Sequence, residues 1–268
     1  MSKIYKLGVI GDPIDHSLSP FIHSRFGRQE NISLDYRAYK VSNIELKSFI
    51  DEFFSSKSAK GLNITLPHKK NAVAAVDKLS EEASFLEAIN TINRKANILY
   101  GHSTDGDGLI KDLNEKNINI KDKRILIIGA GAAIESVLYK IINAKPATIS
   151  ILNRTIEKAE ILQAKYMPMI NISTRIESSI YDLVINGSSA GLTGEFSPPD
   201  KNLFNNDTIF YDLNYSLNGT SFCNWAENIS ENSYDGTGML IAQAALSFYE
   251  WFGVMPDTKK IANEISDL

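Results

Sequence analysis

The segment Arg124-Ile-Leu-Ile-Ile-Gly-Ala-Gly-Ala-Ala133 decides the fold of the chain. Its four consecutive aliphatic residues, Ile125 to Ile128, predict a strand that is buried on both faces, as in a parallel sheet. Gly129 and Gly131 then allow a tight turn and a close approach of the backbone to a ligand. Residues 132–142, which follow, have the character of a helix. The segment is therefore typical of a strand–turn–helix unit.

Such a unit forms a natural site for an anion, because free N–H groups and the helix dipole point at the turn. The pattern predicts that the turn binds the pyrophosphate of a dinucleotide. Its third position is Ile134, where the dinucleotide fingerprint has Gly or Ala for close packing of helix on strand. Because a single Gly-x-Gly is common by chance, the prediction needs support from the remainder of the chain.

The composition excludes several classes of function. The chain has 268 residues, 43% hydrophobic and 22% charged, with a formal net charge of −4. This length suffices for one large or two modest domains, and the charge gives no electrostatic basis for binding nucleic acid or an anionic membrane. The one cysteine, Cys223, excludes an intramolecular disulfide and a cysteine-based metal site, and it is expected in the core. With no signal peptide and no apolar run of about 20 residues, we expect a cytoplasmic protein.

The order of the predicted elements indicates two α/β domains. Strands alternate with helices in the second half, which implies βαβ units and a parallel sheet. A glycine-rich loop over residues 101–108 is predicted to separate the halves, and a second crossing is predicted near Gly236. The domains would then be residues 1–107, completed by residues 238–268, and residues 108–237.

Local patterns in the first half predict particular helices. Ser19 is a candidate N-cap, because Pro20 suits the first turn of a helix. Asn43 is a candidate cap for a second helix over residues 44–54, and apolar spacing predicts a third over residues 69–79.

The end of the strand that follows the glycine turn reads Asn153-Arg-Thr155. In dinucleotide-binding folds, a carboxylate about 20 residues beyond the turn binds the 2′-hydroxyl of the adenosine ribose. Here the position holds Arg154 instead, with Lys158 one helical turn further on. Two cations at the end of a strand favour a 2′-phosphate, so the sequence predicts NADP over NAD. The alternative is that Arg154 merely faces solvent.

Small polar side chains are concentrated in the loops of the first half. Such groups suit a small, polyhydroxylated ligand that needs many hydrogen bonds. Taken singly, each has a structural explanation, such as a helix cap or a turn residue, so only the set argues for a site. The set consists of Ser17 and Ser19, Asn63 and Thr65, Asn90 and Thr91, and Ser103 and Asp105.

Two other kinds of site are disfavoured. A Ser-His-Asp hydrolase lacks support because no Gly-x-Ser-x-Gly elbow is present. A metal site is not predicted, because the four histidines show no ligand spacing. Most of them are expected in loops or at the surface; the four are His16, His23, His68 and His102.

Six motifs make the chain resemble the shikimate dehydrogenase family over nearly its full length. They are Gly11–His23, Gly61–Lys69, Glu87–Thr91, Ser103–Gly106, Asn153–Thr155 and Asp235–Ala245. The resemblance implies an N-terminal α/β substrate domain and a Rossmann-like NADP-binding domain with a cleft between them. It also implies a C-terminal helix that returns to the substrate domain. The implied activity is the NADP-dependent, reversible reduction of 3-dehydroshikimate to shikimate in aromatic amino acid biosynthesis.

The resemblance also implies roles for individual residues toward the substrate. Lys69 and Asp105 would lie at the reacting carbonyl, where an ammonium group can stabilise charge on the C3 oxygen and transfer a proton. Because an aspartate partner favours its charged form, Lys69 would act as an electrostatic clamp and proton donor more readily than as a strong base. The other implied contacts are Ser17 and Ser19 to the carboxylate, Thr65, Asn90 and Gln243 to hydroxyl groups or ring substituents, and Tyr215.

For NADP, the resemblance implies contacts from the glycine turn, from the end of the next strand and from the C-terminal motif. These residues are Gly129, Ala130, Gly131, Ala132 and Ala133, then Asn153, Arg154, Thr155 and Lys158, and finally Gly236 and Met239. The chain departs from the family pattern at several positions. In the glycine turn, Ala132 replaces a glycine that is usual in the family, and Ile134-Glu135 replaces an arginine that is frequent there. Further along, Asn186-Gly-Ser-Ser189 replaces the family's Asn-Ala-Thr-Ser. In the first half, His68 replaces a frequent Phe, and Ser103 replaces a usual Asn.

Two rival hypotheses remain open. A quinate/shikimate dehydrogenase that uses NAD belongs to the same superfamily, but Arg154 and the serine pair argue against it. A non-catalytic ligand sensor with the same fold would not need both Lys69 and Asp105. Composition is compatible with a monomer or a homodimer.

Overall fold

The structure is a computed structural model that describes residues 3–190 and 196–267. It divides into two compact units. Unit 1 comprises Met1–Gly108 and Ile241–Asp267, and unit 2 comprises Leu109–Leu240. The α-helices in chain order are α1 (Ser19–Gln29), α2 (Leu46–Ser55), α3 (Glu81–Leu86), α4 (Asp105–Glu115), α5 (Ala132–Asn143), α6 (Ile156–Tyr166), α7 (Ser221–Ala226), α8 (Thr237–Phe252) and α9 (Thr258–Ser266).

Unit 1 is built on a six-stranded mixed sheet. Its strands are β1 (Tyr5–Gly11), β2 (Leu34–Lys40), β3 (Ala59–Ile64), β4 (Lys78–Leu79), β5 (Thr91–Lys95) and β6 (Ile98–His102). The spatial order is β2-β1-β3-β5-β6-β4, with β1 parallel to both of its neighbours and β5 antiparallel to both of its own. The C-terminal part of α8 packs on this sheet, since the indole N–H of Trp251 donates to the carbonyl of Ile92 on β5.

Unit 2 is built on a six-stranded parallel sheet. Its strands are β7 (Arg124–Ile128), β8 (Thr148–Leu152), β9 (Ile172–Ser173), β10 (Leu183–Asn186), β11 (Ile209–Asp212) and β12 (Ser233–Tyr234). The order β9-β8-β7-β10-β11-β12 is that of a doubly wound dinucleotide-binding sheet. Successive strands are added on one side of β7 up to β9 and on the other side from β10 onward, while all strands stay parallel. The predicted α/β fold, with a Rossmann-like second half, is confirmed. Cys223 is buried here, as expected.

Two segments of unit 1 differ from their predicted structure. Residues 69–79 do not form a helix. The backbone N–H of Asp77 donates to the carbonyl of Leu99, and the carboxylate of Asp77 accepts the N–H of Leu99. These contacts place the following residues, 78 and 79, as strand β4 beside β6. A short 3₁₀ helix, Asn71–Ala75, remains. The predicted loop over residues 101–108 is also wrong, because α4 already begins at Asp105. A side chain on Gly108 would strike Gln243, so this glycine allows close packing of α4 and α8.

Both predicted helix caps are wrong as well. Ser19 is the first helical residue of α1, and Leu18 precedes it as N-cap without a side-chain hydrogen bond. Asn43 lies before the start of α2, and its side chain bonds the ring of His68 instead. Asn43 therefore bonds a residue distant in the chain, whereas the local sequence pattern predicts that it caps the helix that follows it.

No helix within residues 3–190 and 196–267 combines the length and apolar character needed to cross a membrane.

His23 lies in the core of unit 1, not at the surface as expected. Its side chain is fully buried on α1, and its ring stacks on that of Tyr36 at 4.4 Å between centroids with an interplanar angle of 12°. Burial lowers its pKa from 6.5 to about 3. The folded protein therefore holds a neutral imidazole at pH values where an unfolded chain would protonate it.

His23 should make the protein less stable in acid. Below pH 6.5 the unfolded state binds a proton that the folded state does not, until the pH approaches 3. This lowers the free energy of unfolding by about 1.4 kcal/mol per pH unit. In His23→Phe that component is absent, so the difference in unfolding free energy between variant and wild type should shift in favour of the variant as the pH falls from 6 to 4. Urea titrations measure this difference, with pH 7.5 as the reference; a constant difference would contradict a neutral buried His23.

Candidate active site

An ion pair between Lys69 and Asp105 forms the centre of the site in unit 1. The Nζ of Lys69 lies 2.6 Å from the Oδ2 of Asp105, and the two side chains are 19% and 9% exposed. Because little water screens the pair, its attraction is stronger than that of a surface pair. Asp105 is also the first residue of α4, where the helix dipole favours a negative charge. The pair thus places an amino group and a carboxyl group at hydrogen-bond distance.

Asn90, just before β5, binds the other oxygen of this carboxylate. Its Nδ2 donates to the Oδ1 of Asp105 at 2.9 Å and contacts the Oε1 of Gln243 at 3.3 Å. Its Oδ1 accepts the backbone N–H of Thr104 at 2.9 Å. Because a backbone N–H can only donate, this contact fixes which way the amide points. The site therefore joins Lys69, in the segment after β3, and Asn90, just before β5, with residues of α4 and α8.

Three other predicted substrate residues of unit 1 lie beyond the ends of its central strands β1 and β3. Thr65 follows β3, and its methyl group lies so close to Gly11 that a side chain on that glycine would meet it at 2.6 Å. Ser17 and Ser19 lie together at the start of α1, where the N–H of Ser19 donates to the Oγ of Ser17 at 3.3 Å. Burial raises the pKa of Tyr36 well above its usual value, and a hydrogen bond to Ser19 opposes that shift.

His68 fastens the segment that carries Lys69, a role that the sequence did not reveal. The residue lies in a loop, as expected, but its ring is fully buried. The Nε2 lies 2.6 Å from the carbonyl of Val41, and the Nδ1 lies 2.9 Å from the Oδ1 of Asn43. Because a carbonyl only accepts, Nε2 donates in the first contact. The histidine at a position where the family often has Phe was the available signal, since imidazole can bond where a phenyl ring cannot.

In unit 2, the glycine turn has the geometry expected for an anion site. Gly129 has φ = +103°, a conformation that strains any other residue. Gly131 is the N-cap of α5, and a Cβ placed on it would meet no atom of the described residues within 4 Å apart from its chain neighbours. Both Gly131 and Ala132 are exposed. The first turn of α5 thus presents backbone N–H groups that a pyrophosphate fits.

Gly187, a glycine outside the turn, makes room for the bulky residue at the third position of the turn. Ile134 is fully buried on α5, and a Cβ on Gly187 would lie 2.5 Å from its Cδ1. Gly187 follows β10, and it replaces the alanine of the family pattern. The two departures from that pattern therefore compensate: the missing methyl at Gly187 makes room for the side chain of Ile134.

The predicted phosphate-binding cations lie just beyond β8. Arg154 and Lys158 are both exposed, and Thr155 is the N-cap of α6. The amide of Asn153 donates to the carbonyl of Thr155 at 2.7 Å, which holds this corner in place. A 2′-phosphate fits this chemistry, since two cations stand where an NAD-binding fold would have a carboxylate.

The remaining predicted residues of unit 2 lie after β11 and at the start of α8. Burial raises the pKa of Tyr215. Gly236 is buried, with its N–H donating to the carbonyl of Asn214 at 2.9 Å. The structure also contains an unpredicted contact here: the hydroxyl of Tyr211 donates to the buried carboxylate of Asp112 at 2.6 Å. The roles of Tyr215, Gly236 and Met239 toward a ligand stay predictions.

Among the described residues, no group of three or more His, Cys, Asp or Glu side chains is arranged to hold a metal ion.

Three family models match the chain. Residues 9–92 match the shikimate dehydrogenase substrate binding domain, and residues 112–191 match shikimate / quinate 5-dehydrogenase. Residues 236–265 match the shikimate 5′-dehydrogenase C-terminal domain. These matches include the segments of Lys69 and Asn90, the glycine turn and Gln243.

Individual relatives and solved structures are also similar to this chain over nearly its full length. A shikimate dehydrogenase (NADP(+)) of Legionella pneumophila is 38% identical over 262 residues, covering 97% of this chain and 98% of its own. A shikimate dehydrogenase solved with NADP⁺ superposes with a TM-score of 0.90 at 30% identity, covering 100% of this chain and 97% of that one. The enzyme of Thermus thermophilus, solved with NADP(H) and shikimate, gives 0.87 at 28% identity, covering 98% of each chain.

The contact of Ile134 with Gly187 yields a prediction about the cofactor turn. Gly187→Ala should lower the free energy of unfolding by about 1–3 kcal/mol, because the added methyl overpacks a buried contact. Adding Ile134→Ala should recover part of that loss, although Ile134→Ala alone destabilises by leaving a cavity. Thermal and urea unfolding of the four proteins measures the coupling. Strictly additive losses would show that the two residues do not share space.

Proposed function

The chain belongs to the shikimate dehydrogenase family, and from that premise we propose that it catalyses the NADP-dependent, reversible reduction of 3-dehydroshikimate to shikimate. This reaction places it in the biosynthesis of aromatic amino acids. The observation that carries the proposal is the shielded ion pair of Lys69 and Asp105, with Asn90 bound to the same carboxylate. A polyhydroxylated substrate requires such a concentration of donors and acceptors.

In the proposed mechanism, Lys69 acts on the oxygen at C3. When bound, NADPH supplies the hydride. As charge develops on the oxygen, the ammonium of Lys69 stabilises it and gives up a proton. Asp105 holds the ammonium of Lys69 in place through the 2.6 Å contact. In the reverse direction the same lysine would accept the proton of the hydroxyl group.

The other polar residues of unit 1 hold the substrate in this proposal. Ser17 and Ser19 bind its carboxylate, with the hydroxyl of Ser17 accepting the backbone N–H of Ser19. Thr65, Asn90 and Gln243 bind its hydroxyl groups. The fixed orientation of the Asn90 amide supports this role, since its partners leave it no freedom to turn. Tyr215, of unit 2, is proposed as a further substrate contact.

NADP is bound, in this proposal, by unit 2. Residues 129–133, at the first turn of α5, would hold the pyrophosphate, and Arg154 and Lys158 with Asn153 and Thr155 would hold the 2′-phosphate. Gly236 and Met239 would border the nicotinamide through their backbone. The exposed pair of cations is the feature that favours NADP over NAD.

The simplest test is absorbance at 340 nm with shikimate and NADP. We expect NADPH to form, and we expect lower rates with quinate or with NAD. Comparable rates with quinate and NAD would favour the quinate/shikimate dehydrogenase alternative. If folded protein forms no NADPH with either substrate, the proposed activity is wrong and a ligand sensor becomes the better hypothesis.

Lys69→Ala should reduce kcat far more than it changes the KM for shikimate. The ammonium acts on charge that develops only in the transition state, so its loss raises the barrier more than it weakens binding. We expect a fall in kcat on the order of a hundredfold or more. Steady-state rates measure the split, with the neighbouring exposed Lys70→Ala as a control that keeps its activity. A large rise in KM with kcat intact would assign Lys69 to binding alone.

Arg154→Ala should weaken binding of NADPH and leave the use of NADH almost unchanged. The arginine would contact only the 2′-phosphate, which NADH lacks. A loss of about 1.5–3 kcal/mol, the range for hydrogen bonds to charged groups, corresponds to about a tenfold to hundredfold rise in KM for NADPH. Arg175→Ala, another exposed arginine of unit 2, serves as the matched control. Equal losses with both cofactors would remove the reason for assigning the phosphate to Arg154.

A further inference from the structure

Behind the site of unit 1, three buried polar side chains form a closed set that we call the polar triangle: Asn63 of β3, Thr91 of β5 and Ser247 of α8. The hydroxyls of Thr91 and Ser247 are 2.7 Å apart, and the Nδ2 of Asn63 donates to them at 3.2 Å and 2.9 Å. Thr91 and Ser247 are fully buried and Asn63 is 6% exposed. The triangle thus joins three separate elements inside the core.

The polar triangle is an unfavourable choice for stability alone. Its neighbours along the strands, Leu62, Ile64 and Ile92, belong to the apolar core. Burying polar groups costs desolvation that hydrogen bonds only offset, and apolar residues of the same shape often do as well or better. A buried polar set of this kind defines geometry, because each member must keep its partners.

The orientation of the triangle is fixed at Asn63. Its Nδ2 lies 3.2 Å from the backbone carbonyl of Asn90, which can only accept a hydrogen bond. Its Oδ1 accepts the hydroxyl of Tyr36 at 2.7 Å. The amide therefore has one favourable orientation, and it directs its N–H groups toward Thr91 and Ser247.

The triangle contacts both amide residues of the site. The hydroxyl of Thr91 lies 2.9 Å from the Oδ1 of Asn90, the atom that sets the direction of that amide. Ser247 lies one helical turn after Gln243 on α8, and its hydroxyl contacts the carbonyl of Gln243 at 3.0 Å. A shift of the triangle would therefore displace Asn90 and Gln243 together.

We propose that Thr91 and Ser247 are positioning residues: the polar triangle sets the placement of Asn90 and Gln243, and through Asn90 that of the Asp105 carboxylate. The inference rests on the proposed function, because it assigns these groups to the same shikimate site. Neither hydroxyl touches the substrate in this account. Thr91 acts on the side-chain amide of Asn90, and Ser247 acts on the backbone of Gln243, one helical turn earlier on α8.

The test compares Thr91→Val with Thr91→Ser in the full chain. Valine keeps the shape and removes the hydroxyl, whereas serine keeps the hydroxyl and removes the methyl. We expect Thr91→Val to lower kcat/KM for shikimate on the order of tenfold to a hundredfold, as small misplacements of catalytic groups do, with the KM for NADP within about twofold of wild type. Thr91→Ser should stay within about threefold of wild type in both.

Two further variants keep the result interpretable. Ser247→Ala removes the second hydroxyl and should reproduce the loss with shikimate, which provides an independent reading if Thr91→Val does not fold. Thr208→Val is the matched control: it removes an equally buried hydroxyl in unit 2, one that donates to the carbonyl of Tyr181 at 2.9 Å. It should lower the melting temperature and leave kcat/KM for shikimate unchanged.

The outcomes separate this inference from the proposed function. If wild-type protein does not oxidise shikimate, the proposed function fails and the positioning role fails with it. If wild type is active and the folded Thr91→Val and Ser247→Ala variants match it in kcat/KM, the positioning role alone is wrong. Equal losses in Thr91→Val and Thr91→Ser would likewise overturn it, because they would assign the effect to packing of the methyl group.

Discussion

The ion pair of Lys69 and Asp105 is the interaction on which unit 1 depends. Taking two opposite charges out of water costs free energy unless further groups stabilise them. The first turn of α4 and the amide of Asn90 provide that support for the carboxylate. His68 fastens the segment that carries the lysine. The long-range contacts around the site thus serve to hold one charged pair at 2.6 Å.

In unit 2 the constraint is the close packing of helix α5 on strand β7 around an exposed turn. In the dinucleotide-binding fingerprint, a small residue at the third position normally allows this packing. Here Ile134 occupies that position, and the absence of a side chain on Gly187 makes the space for it. The turn itself keeps the two glycines that matter, one for its positive φ and one for its open face. Two departures from the family sequence therefore have one physical explanation.

The features that the sequence predicted are those encoded by local patterns or by family motifs. Hydrophobic runs and the glycines that end them predict the strand of residues 125–128, the glycine turn and the α/β class. The missed features depend on partners distant in the chain. Residues 69–79 are not helical because Asp77 bonds Leu99, and His23 is buried because its ring stacks on Tyr36. The polar triangle joins residues up to 184 positions apart, and no local pattern encodes such a contact.

The central claim is that Lys69 and Asp105 act on the substrate as one unit. A double-mutant cycle on kcat/KM for shikimate tests it most directly, using Lys69→Met, Asp105→Asn and the double variant. Residues that act together give strongly non-additive losses. The account predicts that the double variant loses about as much activity as the more damaging single variant. If the two fold-losses multiply, the residues act independently and the ion pair is not the functional centre of the site.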